Sequence, residues 1–156
     1  MYAATLAVHS WLRWVVLVLG VFAIVRAASA ARARRWTSAD DRASRWFTLA
    51  FDVQFLVGLL LYLALSPITH AAMRDFGGAM HTASLRYWAV EHPFGMIAGL
   101  ALAHVGRARL RRQPPERRGR TALIFFILAV ILAAASIPWP AMSNGRPLIR
   151  VLRFEP

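Results

Sequence analysis

Apolar residues gather in four stretches, about 4–25, 47–65, 87–105 and 123–138, and blocks dense in arginine separate them. A helix that crosses the hydrocarbon layer needs roughly 20 mostly apolar residues at about 1.5 Å each, so each stretch predicts one crossing. The pattern predicts an all-α, four-helix transmembrane bundle in a single domain over 1–156, with a short polar tail over 141–156. Proline cannot continue the helical hydrogen-bond ladder, so Ile137-Pro138-Trp139-Pro140 reads as the stop of the fourth helix.

Composition agrees with the pattern. The 156 residues are 58% hydrophobic, more apolar surface than one small soluble core can hide. The Ala28-Ser29-Ala30 run resembles a signal-peptide cleavage site, but no basic region precedes the first stretch and Arg13 interrupts it, so it reads as a retained helix. With no cysteine, iron–sulfur clusters, thiolate-bound zinc and covalently attached haem lack their ligands.

Charge adds orientation. Arg26, Arg32, Arg34, Arg35, Arg42 and Arg45 crowd the first connection, and seven arginines between Arg107 and Arg120 crowd the third, whereas the second holds only Arg74 and Arg86. The positive-inside rule then predicts a multi-pass membrane protein with both crowded connections cytoplasmic, and with N-terminus, second loop and C-terminus on the outer side. The net charge of +12 sits at helix ends, where it matches anionic headgroups, so the partner it predicts is the lipid bilayer and not nucleic acid. Most of the tryptophans fall near the predicted boundaries, as an interfacial belt does.

Ionisable groups at membrane depth are costly and point to function. His9 on the first helix and His92 on the third both lie about 7 Å below the outer boundary. Two imidazoles at one level on two helices form the pattern that axial ligation of a haem iron requires. Gly95 and Gly99 follow His92 on about the same face, which suits either a flat porphyrin or close helix packing. Arg13 lies about 13 Å deep and needs a partner: a haem propionate, Asp52, Gln54, or the outer headgroups by snorkelling. Pro93 frees the Ala89 carbonyl and sets how His92 points. Glu91 faces elsewhere, and His104 reads as a boundary residue beside Arg107. His70 and His81 in the outer loop, with His92, form a weaker candidate metal site. No nucleophile–base triad, phosphate loop or carboxylate pair is present, so no catalytic residue is assigned.

The segments His9-Ser10-Trp11-Leu12-Arg13-Trp14, Phe51-Asp52-Val53-Gln54-Phe55-Leu56-Val57-Gly58, Glu91-His92-Pro93-Phe94-Gly95-Met96 and Ile137-Pro138-Trp139-Pro140 resemble those of small bacterial inner-membrane proteins labelled cytochrome b-like. The resemblance implies a four-helix bundle that binds haem b through His9 and His92. The expected function is electron transfer at one haem near the outer leaflet, with a quinone or a periplasmic carrier as partner. The competing expectation is a non-catalytic accessory subunit that packs against a larger membrane complex.

Overall fold

A computed structural model of the chain describes residues 1–149, and all its regular structure there is helical. Helix α1 covers Tyr2–Ala33 and ends through Arg34 in the left-handed conformation. Helix α2 covers Ser38–Leu60 and continues through a π-helical turn over Leu61–Leu65. Short helices α3 (Pro67–Arg74), α4 (Phe76–His81) and α5 (Ala83–Arg86) follow. A second π-helical turn, Tyr87–Glu91, leads into α6 (His92–Arg111), and α7 covers Pro115–Ala135.

Of these, α1, α2 with its π turn, and α7 are long and apolar enough to cross a membrane. The hydropathy windows differ from the helices at their ends. Helix α1 runs on past Val25 because Arg26 turns back to Asp40 (2.7 Å) and Ala27 and Ala30 are buried. Helix α2 starts nine residues before its apolar window, at a capping box. The Thr37 hydroxyl accepts from the Asp40 amide while the Asp40 carboxylate accepts from the Thr37 amide at 2.8 Å. The fourth helix stops at Ala135, ahead of the expected Pro138. The second connection, expected as a loop, folds into α3, α4 and α5, with Ser66 and Asp75 side chains capping the first two.

Small residues set the packing. The buried positions of α1 include Gly20, Ala23, Ala27 and Ala30, those of α6 Gly95, Gly99, Ala103 and Gly106, and those of α7 Gly119, Ala122, Ala129 and Ala133. Each set recurs every three or four residues, with Phe126 completing the spacing in α7, which gives one face of a helix. Helix α7 lies between α1 and α6 on these faces, while α2 touches α1 and, more loosely, α6. A side chain at Gly119 would strike the backbone of Ala30 and Ala31, and one at Gly106 would strike Phe125. Such seams let helix backbones approach closely where lipid supplies no hydrophobic drive. Phe47, Phe51 and Phe126 fill the centre, with Phe47 and Phe126 edge to face at 5.4 Å between centroids.

Gly119→Val should force α1 and α7 apart and lower stability by about 1–3 kcal/mol, the usual cost of overpacking. A clear drop in the melting temperature of the detergent-purified variant is the expected reading, with Leu128→Val on the exposed face of α7 as the neutral control.

Candidate functional site

Because α7 joins α1 and α6 closely while α2 meets α6 only loosely, space is left beside α2. A cavity of about 450 Å³ occupies that space, lined by α1, α2, α6 and the connection between α2 and α6. It starts beyond Phe51, where the aromatic centre ends, and its walls are mostly apolar. Its polar groups are few: His9, Arg13, Gln54, Tyr62, His92 and Arg146 are the main ones.

The two histidines meet across this cavity. Their ring centroids lie 6.4 Å apart, with planes at 73°. The ring of His92 is oriented by α7: its Nδ1 lies 2.7 Å from the Ser136 carbonyl, so Nδ1 carries the proton and Nε2 keeps its lone pair. The backbone around it is prepared by Pro93. The Ala89 carbonyl, which a proline four residues on cannot engage, accepts instead from the Tyr62 hydroxyl at 2.9 Å. The π turn over Tyr87–Glu91 sits at that same break.

Gln54 holds His9. Its amide nitrogen donates to the His9 carbonyl at 3.1 Å and lies 3.3 Å from His9 Nε2. Gly58, one turn further along α2, gives the imidazole room: a Cβ there would come within 3.0 Å of His9 Cε1. His9 Nδ1, Gln54 Oε1 and Arg13 Nε are buried without a hydrogen-bond partner among the described residues. Buried polar atoms are rarely left unmatched, and three of them at one cavity mark a place where a ligand is expected.

Arg13 pairs with neither Asp52 nor Gln54. Its Nη2 donates to the Leu148 carbonyl at 2.6 Å, and its guanidinium lies 5.3 Å from the centre of the Trp14 ring. The indole of Trp14 donates to the same carbonyl at 2.9 Å and packs edge to face on Trp139. The chain after α7 therefore returns to α1 as a strap over one end of the cavity, with Arg146 stacked 5.0 Å from the centre of Trp88. The expected free tail is tied down as far as it is described; Arg150 and Arg153 lie outside the described residues.

Other candidates fall elsewhere. Gly95 and Gly99 share a face with His92, but the face is against α7: side chains there would strike Ser136 and approach the Ala129 carbonyl, and neither glycine lines the cavity. His104 takes Asp52 as its partner at 2.7 Å on the half-exposed surface between α6 and α2. Glu91 pairs with Arg86. His70 sits near the Leu63 carbonyl, and no group of three His, Asp or Glu side chains among the described residues is placed to hold a metal ion. Gln54, Gly58, Tyr62 and Ser136 were not foreseen as parts of the site. Only Gln54 carried a signal, as an amide at membrane depth.

No family model matches the chain, and no curated protein or solved structure matches it. The site alone must therefore carry the functional reading.

Arg13→Ala removes one of the two donors that hold the strap at Leu148. Limited proteolysis between Ser143 and Leu148 should then run about tenfold faster than in the wild type, in line with the loss of a charge-assisted hydrogen bond of about 1.5–3 kcal/mol.

Proposed function

We propose that the chain is a four-helix inner-membrane redox protein that holds one haem b between His9 and His92. In this reading α6 is the fourth crossing, short in hydropathy because His92, His104, Arg107 and Arg109 fall within it, and the arginine-rich connections lie in the cytoplasm. Both described ends of the chain and the cavity then lie towards the outer leaflet.

The observation that carries the reading is the 6.4 Å between the two rings. One metal ion bound by a nitrogen of each imidazole at about 2 Å brings the ring centres to about 6 Å apart. Two protein ligands are too few for a bare ion, whereas His9 and His92 would suffice to hold a haem. The contact of His92 Nδ1 with Ser136 is the outer-sphere hydrogen bond that metal-bound histidines usually make. Arg13 at the cavity and Arg146 at its rim are cations suited to propionates. A cavity of about 450 Å³ also lies in the range of cofactor pockets. When bound, the haem would supply one-electron chemistry. The chain's own part is to fix the two ring orientations through Gln54 and Ser136, to exclude water with apolar walls, and to neutralise the propionates.

The resemblance to small inner-membrane proteins labelled cytochrome b-like points the same way. A second reading, the accessory subunit of a larger membrane complex, draws on the His104 and Asp52 pair, which lies half exposed on the helix surface where a partner helix would cover it. Gly95 and Gly99 no longer favour it, since α7 already covers them.

The visible spectrum of the detergent-purified protein separates the readings. We expect about one haem per chain, with the sharp reduced bands of two-histidine ligation on adding dithionite. His9→Ala and His92→Ala should each lose those bands while the helical circular dichroism persists. Spectra unchanged by either substitution would remove the haem reading, and a colourless, folded wild type that co-purifies with fixed partners would favour the accessory subunit.

A further inference from the structure

The cavity has one covered end and one open side. At the end near Tyr2 and the strap, Ile68 and Thr69 of α3, Phe76 of α4 and the strap residues Pro138 and Arg146 form a roof, and the Arg13 and Trp14 bonds to Leu148 hold the strap in place. On the side between α2 and α6, hydrogen bonds and a close ring contact join the two segments at two levels. Above, the Tyr62 hydroxyl bonds the Ala89 carbonyl. Below, Phe51 packs on Gly99 and His104 meets Asp52. Between Phe51 and Tyr62, along about 16 Å of helix, no such link exists among the described residues. There α2 presents Phe55, Gly58 and Leu59, and α6 presents Pro93, Phe94 and Ile97. Leu59 is 38% exposed, Phe94 71% and Ile97 52%, and all three also line the cavity.

This window is apolar, it lies beside the candidate membrane span α2, and it leads to a buried acceptor without a donor. Gln54 is only 7% exposed, and its Oε1 has no partner among the described residues. A ligand arriving here must have a greasy tail, a flat polar head and no net charge. A phospholipid fails on the last count, because in the haem reading propionates take the charge of Arg13, and Arg146 lies at the strap end, over Trp88.

We propose that an isoprenoid quinone or quinol enters this window from the bilayer, with its head beside Gln54 and its tail along Leu59, Phe94 and Ile97. The proposal rests on the haem reading and selects the electron partner: a lipid-soluble carrier, not a water-soluble one. Gln54 is the contact between the two, because its amide already holds His9 while its Oε1 accepts from a quinol hydroxyl. Oxidation of one quinol to the quinone releases two electrons and two protons. A haem held by His9 and His92 would supply the one-electron acceptor, taking each electron in a separate encounter, and the protons would pass to water.

The test uses the full chain in lipid nanodiscs and two probes, an aryl-azide ubiquinone analogue for photolabelling and decylubiquinol as reductant. The label should map to residues 55–63 and 93–97, and Leu59→Trp with Ile97→Trp, which fills the window from two exposed positions, should lower both labelling and the rate of reduction by decylubiquinol about tenfold. Label confined to other segments, or labelling and rate unchanged in the double variant, would overturn the proposal. The haem content of each sample is read separately from its spectrum. A wild type that takes the label at the window but carries no haem defeats the haem reading and leaves the quinone site standing; a haem-loaded wild type that takes no label there defeats the quinone site alone.

Discussion

The close approach of α7 to α1 and α6 is the constraint from which the rest of the structure follows. At Gly119 the backbones of α7 and α1 come so near that a single methyl group has no place, and at Gly106 the side chain of Phe125 fills the room a methyl would need. In water, a stripe of glycine and alanine would be a weak core, because it buries little apolar area. In a bilayer the comparison is with lipid, and helices gain from van der Waals contact along smooth faces. The three helices joined in this way leave α2 to pack with larger side chains, and Phe47, Phe51 and Phe126 take up the wider spacing.

That wider spacing is filled for only half the length of α2. Beyond Phe51 the residues facing inward are Gln54 and Gly58, which are too short or too polar to fill it, and the cavity begins there. The polar atoms of the site sit where the aromatic filling stops. Each histidine is held from a different side: His9 by α2 through Gln54, His92 by the end of α7 through Ser136. The separation of the rings is therefore set by the same packing that places α2 and α7, not by loops.

The long helices could be read from hydropathy because the requirement is local: enough apolar residues in a row. Their ends could not. The start of α2 depends on Thr37 and Asp40 capping each other and on Arg26 reaching across from α1, none of which raises hydropathy. The pairing of His9 with His92 was legible because depth follows from counting residues along two helices. The glycines beside His92 left two readings open, a porphyrin face or close helix packing, for a related reason. Spacing tells which residues share a face but not what the face meets, and here it meets Ser136 and Ala129. Gln54 and Gly58 stayed hidden because their part in the site depends on the rotation of α2. The strap was hidden more deeply, since its key atom is the backbone carbonyl of Leu148, and a carbonyl leaves no mark in a sequence.

Arg13 shows what that carbonyl changes. A buried cation facing a carboxylate would make a neutral pair and close the local charge balance. Here the partners of Arg13 are a carbonyl dipole and an indole face, and among the described residues no carboxylate neutralises its charge beside the cavity. In surroundings of low dielectric such a charge acts over several ångströms and favours an anionic group on the ligand. Asp52, the one carboxylate at comparable depth on α2, is committed to His104 on the other side of that helix pair. On the proposed reading the balance is restored by a haem propionate, so that the strap, Arg13 and the cofactor depend on one another: the strap holds the guanidinium, the guanidinium holds the propionate, and the loaded site keeps the end of the chain against α1.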